Sequence, residues 1–303
     1  GKGVTLTIFL LLVNFYICFM SNSNPKRLVD LVVISDTHLG TIGCRAKELN
    51  LYLKSIDPKT IVLNGDIIDI WQFNKRHWDK YHTKVIKQVL KFVSNGTKVH
   101  YIAGNHDEAL RRFLNFELEG FKITNKLSLN LNSKKAWFFH GDVFDVTMQH
   151  SRWLTRLGGF GYDFLILLNS LVNKILTLFG QEKFSFSKTI KNKVKAAVSF
   201  INKFESTVVS IALRNHYDYV VCGHIHQPCI KTIHTKDRSL TYLNSGDWIE
   251  NMTALEYHEN KWTLFEYDPV LFKNEKKDDQ DYKDVKTLFS DLVEDINLNS
   301  INI

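Results

Sequence analysis

Residues 28–35, LVDLVVIS, form a nearly unbroken run of aliphatic side chains, the pattern of a strand buried on both faces. A helical stretch follows around 44–54. Then come a strand over TIVLNG (60–65), a helix over 79–94 and a strand over KVHYIA (98–103). This βαβαβ rhythm predicts a layered α/β fold with right-handed crossovers. The pattern continues with a helix over 107–118, a short hairpin-like stretch and a strand over KKAWFFH (134–140). Residues 148–216 interrupt the rhythm and read as a helical insertion with a Gly-rich joint, LGGFGYDF (157–164). One half of it, DFLILLNSLVNKILTLFG (163–180), is very apolar, and the other, FSFSKTIKNKVKAAV (184–198), is basic. Strands resume at YDYVVCG (217–223) and run on through TYLNSGDW (241–248), TALEY (253–257) and WTLFEY (262–267).

The ends differ from this core. VTLTIFLLLVNFYICFM (4–20) is mostly apolar and preceded only by Lys2. It fits a signal-peptide core or a marginal membrane anchor. It also fits translated upstream sequence, because Met20 opens a polar leader, SNSNPKR, directly before the first strand. Residues 271–303 are charged and Asn-rich with weak periodicity and read as a flexible tail. The expected division is thus a leader (1–27), a core (28–270) with its insertion (148–216), and the tail.

Composition narrows the class. With 44% hydrophobic and 13% aromatic residues the chain can bury a sizeable core. A formal charge of +7 suits an anionic partner without choosing among phosphate, nucleotide, nucleic acid and lipid headgroup. Cys18, Cys44, Cys222 and Cys229 are scattered, which argues against a disulfide framework or a thiolate zinc site. Any bound metal must be held by His and Asp.

Five strand ends carry such residues: Asp36-Thr-His38, Gly65-Asp66-Ile-Ile-Asp69, Asn105-His106-Asp107, His140-Gly-Asp142 and Gly223-His224-Ile-His226. In extended chain, residues i and i+2 point the same way, so Asp36 with His38, and His224 with His226, are expected to face a common point. Ligands of open α/β sheets bind at the carboxyl ends of parallel strands. Asp36, His38, Asp66, Asn105, His140, His224 and His226 offer imidazoles, carboxylates and an amide, a set suited to Mn2+, Fe or Zn2+. Seven ligands exceed one ion and suit two that share a carboxylate. Two such ions clamp a phosphoryl group and activate a water, which points to phosphoester hydrolysis.

DTH, GDIID, GNHD, HGD and GHIH, in this order over roughly residues 30–250, resemble the calcineurin-like metallophosphoesterase superfamily. The resemblance implies a four-layer α/β/β/α sandwich with a di-metal site at one edge. Carried over by position, Asp36, His38, Asp66 and His226 hold one metal, and Asp66, Asn105, His140 and His224 hold the other. It further implies that His106 acts on the phosphate and that Asp107 orients it. Asp69 and Asp142 are expected to support ligand histidines.

Within the superfamily, ISDTHLG, GDIIDIWQF, HGDVFD and an insertion before GHIHQP are similar to UDP-2,3-diacylglucosamine pyrophosphohydrolases of lipid A synthesis. That similarity implies release of UMP from a nucleotide-sugar lipid, at the cytoplasmic face of a membrane and without nucleic acid. An apolar lid (164–179) would hold acyl chains, and Arg152, Arg156, Lys188 and Lys191 would neutralise phosphate charge. Arg111 stands between substrate phosphate and solvent. One residue departs from the pattern: the best-known members carry Arg where this chain has His106. A nuclease and a non-catalytic scaffold remain as rival readings. A nuclease should present interleaved basic and aromatic residues and a capping domain after the core. A scaffold should have lost ligands, yet all seven positions are filled.

Overall fold

The computed structural model describes residues 26–144 and 186–272, with side chains from 198 onward in the second stretch. The elements are β1 (Arg27–Ile34), α1 (Ala46–Lys54), β2 (Ile56–Asn64), α2 (Lys80–Ser94), β3 (Lys98–Ile102), β4 (Glu117–Leu118), β5 (Phe121–Thr124), β6 (Lys126–Leu131) and β7 (Lys134–Phe139). After them come α3 (Phe186–Arg214), β8 (Tyr219–Cys222), β9 (Cys229–His234), β10 (Ser239–Asn244), β11 (Thr253–His258) and β12 (Lys261–Glu266).

Strand alternation sorts the apolar residues into layers. Along β1, Leu31 and Val33 enter one core while Val32 and Ile34 enter another. The first core lies between two sheets, where Leu31, Val33 and Val62 meet Phe138, Val221 and Leu243. The second lies between the first sheet and α1 and α2, around Tyr52, Leu53, Val85 and Phe92. A third joins the outer face of the second sheet to α3 through Phe204, Val208 and Ala212, spaced one helical turn apart. The result is a four-layer α/β/β/α sandwich. Each large side chain so buried contributes about 1.5–3 kcal/mol relative to exposure.

The first sheet has the order β12-β11-β1-β2-β3-β5-β4, and the second β6-β7-β8-β10-β9. β1, β2, β3 and β5 run parallel, as do β7, β8 and β10. Parallel strands send all their carboxyl ends to one edge, and the five polar clusters sit there. α2 starts at Asp79, whose carboxylate accepts from the Tyr81 and His82 backbone N–H groups, a cap the sequence places well.

Three expectations change. No α-helix forms over 107–118: Glu108–Phe113 is a 3-10 turn, and Asn115, with φ of 69°, reverses the chain into β4. Asp107 makes no cap because its carboxylate is used elsewhere. β9, the second sheet's edge strand, is missed because CIKTIH leaves most of its side chains exposed and lacks a buried run. Finally, part of the stretch read as insertion is core. From Phe204 onward α3 is the fourth layer. The apolar half at 163–180, Arg152 and Arg156 lie outside the described residues. Lys188 and Lys191 fall in the first turns of α3, and their side chains lie outside the described ones.

Candidate metal centre

The loops leaving β1 and β2 run side by side: the Asp36, His38 and Leu39 N–H groups donate to the Gly65, Asp66 and Ile67 carbonyls at 2.9–3.0 Å. The second sheet joins them where the Gly223 N–H donates to the His140 carbonyl and the His224 N–H to Asp36 Oδ2, at 2.9 and 3.0 Å. Five of the seven expected ligands hold left-handed backbone: Asp36 (φ 50°), His38 (47°), Asp66 (53°), His224 (67°) and His226 (51°). Side chains rarely adopt this region, and such strain collects at working sites. It also corrects the extended i, i+2 reading for one of its two pairs, since Asp36 and His38 do share a group. The chain is not extended at these pairs, so His224 and His226 diverge into different groups.

Glycines complete the packing. A Cβ on Gly104 would lie 2.2 Å from Asp66 Oδ1, and one on Gly65 would lie 2.3 Å from His140 Nδ1. The Gly of GDIID and that of GNHD are therefore space for neighbouring carboxylate and imidazole groups.

Three donor groups result: Asp36, His38 and His226; Asp66, His140 and His224; and His38 again with Asp69 and His106. The first two hold the expected ligands. Asp66 lies between them, with Oδ2 3.2 Å from His140 Nε2 and 3.9 Å from His38 Nε2. In the first group His226 Nε2 is 3.1 Å from Asp36 Oδ1. Ring partners set the tautomers. His140 Nδ1 pairs with the Asn64 carbonyl at 2.9 Å and His38 Nδ1 with Asp69 Oδ2 at 3.0 Å, so each ring presents its Nε2 toward Asp66. Asn105 stands next to His106, whose backbone N–H donates to Asp66 Oδ1 at 2.8 Å.

The residues fit divalent metal. Asp36 Oδ1, His38 Nε2, His140 Nε2 and Asn105 Oδ1 are all buried, and none makes a hydrogen bond. Buried polar atoms are ordinarily satisfied, so four of them on the loops of one site point to a partner of another kind. Donors sharing one ion at about 2.0–2.2 Å lie about 3 Å apart, and the 3.1–3.2 Å contacts are of that size without the alignment of hydrogen bonds.

Charge tells the same story. Burial pushes the Asp36 carboxyl up, but His226 and His140 outweigh it and hold it below the usual carboxylate range. Asp66 is likewise held far down against burial, mainly by His140. Burial pulls His226 down while Asp36 carries it up to about 9. Without metal, protons on the imidazoles thus neutralise the carboxylates. Metal takes over that task by displacing them.

His106 lies at the mouth. Its Nδ1 is 2.8 Å from Asp69 Oδ2, its ring is 4.7 Å from that of His38, and Trp71 tilts over it at 5.4 Å. Burial lowers its pKa, yet Asp69 and Asp66 raise it overall, which favours the imidazolium. The orienter is therefore Asp69 and not Asp107. Asp107 accepts from the Gly104 N–H, the Ile67 N–H and the Tyr101 hydroxyl at 2.6–2.9 Å, which turns its carboxylate into the loop. Asp69 Oδ1 also accepts from the Gln72 N–H, so it shapes its own loop while linking His38 to His106. A second correction concerns Asp142. It hydrogen-bonds Arg111 Nη2 at 2.5 Å and acts on the ligand histidine His140 only through its charge, which raises that ring's pKa, and Arg111 reaches the Ala103 carbonyl as well.

Asp247 escapes a reading by motif. Its Oδ2 is 3.7 Å from His226 Nδ1, while Oδ1 accepts from the Ile249, Glu250 and Asn251 N–H groups. The clue was present: Gly246-Asp247 follows a strand as Gly65-Asp66 and Gly141-Asp142 do.

Comparison with known proteins adds independent findings. UDP-2,3-diacylglucosamine hydrolase of Vibrio cholerae is 23% identical over 70% of this chain and 86% of that protein. The proteins of the same name from Aliivibrio fischeri and Stenotrophomonas maltophilia are 21% and 25% identical, over 77% and 76% of this chain and 97% and 96% of theirs. Among solved structures, an archaeal phosphodiesterase aligns at 13% identity with a TM-score of 0.38, covering 78% of this chain and 98% of that one. A dimetal phosphatase from Danio rerio aligns at 14% and 0.38, covering 78% and 95%. Residues 29–228, well over half the chain, match the Calcineurin-like phosphoesterase profile, so the chain belongs to that family of metal-dependent phosphoester hydrolases.

Proposed function

We propose that the chain hydrolyses the pyrophosphate bond of UDP-2,3-diacylglucosamine, releasing UMP and 2,3-diacylglucosamine 1-phosphate, at the inner face of a membrane. The observation that carries the hydrolytic part is Asp66, a buried carboxylate between two histidine groups whose Nε2 atoms face it without hydrogen bonds. The substrate part rests on curated relatives named UDP-2,3-diacylglucosamine hydrolase, which align over most of their own length.

Asp36, His38, Asp66 and His226 would hold one divalent ion, and Asp66, Asn105, His140 and His224 the other, with Mn2+ the best match to this donor set. When bound, such a pair offsets phosphoryl charge and makes a water nucleophilic near neutral pH. The chain's own residues do the rest. Asp69 Oδ2 lies 2.8 Å from His106 Nδ1, so Nε2 is the atom left to meet substrate. As an imidazolium, His106 donates to a phosphoryl oxygen and can pass its proton to the leaving phosphate. Trp71 covers its ring and limits water on that side. Arg111, committed to Asp142, stiffens the loop beneath the site, and Asp107 keeps the Gly104 turn closed.

The test is product release. With added Mn2+ the protein should free UMP from UDP-2,3-diacylglucosamine, and chelation should abolish it. Activity that survives thorough EDTA treatment would contradict the metal centre. Faster cleavage of bis-p-nitrophenyl phosphate or single-stranded DNA than of the nucleotide lipid would overturn the substrate.

A further inference from the structure

Along α2, Lys80, Lys84, Lys87 and Lys91 recur at steps of four, three and four residues, which sets them in one stripe. The helix buries a different face, through His82, Val85 and Phe92, and contains no acidic residue. At its first turn the stripe widens. Lys47 from α1 joins Lys80 and Lys84 around the ring of Tyr81, at 5.4–6.0 Å from its centre.

The loop that enters this helix carries the opposite character. Ile70, Trp71 and Phe73 are 42–48% exposed. The Asn74 N–H donates to the Gly40 carbonyl at 3.1 Å, tying that loop to the 39–43 turn, where Ile42 is 85% exposed. Phe73 lies directly against Gly40. Exposed Lys75 and Arg76 follow in the same loop. An apolar tip thus projects beside a cationic face, on one corner of the molecule. Trp71 connects this tip to His106 and so to the mouth of the metal centre.

We infer that this corner is a docking surface for an anionic lipid bilayer, with Ile42, Ile70 and Phe73 entering the headgroup layer and the lysine stripe lying over its charge. Interfacial segments combine apolar side chains with lysine in this way. A protein partner fits less well, since lysine is depleted at such interfaces. Single-stranded nucleic acid would need free stacking faces, whereas Trp71 lies over His106, Phe73 lies against Gly40, and the most exposed residue of the tip is Ile42. Docking at this corner brings the mouth to the lipid surface. The inference does not depend on the substrate proposed above.

Hydrogen–deuterium exchange on the full chain tests it, with phosphatidylcholine vesicles and with vesicles containing one quarter phosphatidylglycerol. The anionic vesicles should slow exchange in 40–44 and 70–78, and the neutral ones should not. Lys80→Glu/Lys84→Glu should lose that protection and weaken vesicle affinity on the order of tenfold or more. Ile42→Ser/Phe73→Ser should lose the protection while still responding to charge. Both variants should keep wild-type cleavage of bis-p-nitrophenyl phosphate, which guards against misfolding. Because the readout is local, an apolar leader that anchors the chain by itself cannot mimic it. Equal protection by neutral vesicles, or protection unchanged in the lysine variant, would overturn the inference. So would tighter binding of single-stranded DNA that depends on the lysines but not on Ile42 and Phe73.

Discussion

Two polar clusters adjoin the first sheet, and they are built to opposite rules. At the start of β1, Arg27 grips Glu256 through both Nη atoms at 2.8 Å, and the Tyr52 hydroxyl donates to the same carboxylate at 2.9 Å. Both oxygens of Glu256 are paired, and the Arg27 guanidinium rests over Phe265. At the other end of β1, the metal centre gathers more charge into less space and leaves four buried ligand atoms without hydrogen bonds. One cluster is closed and fastens β1 to β11. The other is open, and its unmet valence is what a metal can use.

Removing the shared carboxylate should have the largest effect on the open cluster. Asp66→Ala should abolish turnover and metal uptake together, as measured by phosphodiester cleavage and bound metal per chain. His106→Ala should keep the metal and cut kcat by roughly 10²–10⁴-fold, the size of a general-acid contribution. Asp69→Asn should follow in the same direction with a smaller loss, and should move the alkaline limb of the kcat–pH profile to lower pH by lowering the pKa of His106. In the closed cluster, Glu256→Ala should cost about 1–3 kcal/mol, because Arg27 and Tyr52 lose their acceptor. Denaturant melting would detect that, while kcat at saturating metal stays unchanged. A fall in kcat would mean that the two clusters are coupled.

The smallest effect distinguishes the clusters by pH. His226 is raised from 6.5 to about 9, so in metal-free protein its pairing with Asp36 is fully present below about 6.5 and lost as pH rises through 9. Asp36 is lowered from 3.8, so the same pairing fades as pH falls below that value. The metal-free melting temperature should therefore decline from pH 6.5 to 9. Saturating Mn2+ should remove that decline, since metal replaces the protons.

The contrast also explains what the sequence could convey. The open cluster is written in short contiguous words, each at a strand's carboxyl end, so DTH, GNHD and GHIH are visible without an alignment. The layered fold was equally legible from runs such as LVDLVVIS, which must be buried on both faces. What escaped depends on where a side chain turns. Asp107 adjoins His106 in sequence, yet its carboxylate closes on Gly104 and Ile67, and Asp69, from another loop, supplies the contact. Left-handed φ angles at His224 and His226 undo an argument from extended chain and send the two rings to different groups, and no residue type there announces them. Asp247 and Glu256 lie far along the chain from His226 and Arg27, the side chains they meet, and only the folded sheets bring them together.

The central claim is that the open cluster holds two ions bridged by Asp66. Counting tightly bound Mn2+ per chain by titration calorimetry and elemental analysis tests it most directly. Wild type and His106→Ala should each bind two, and Asp66→Ala should lose both. One ion per wild-type chain, or undiminished binding by Asp66→Ala, would contradict it.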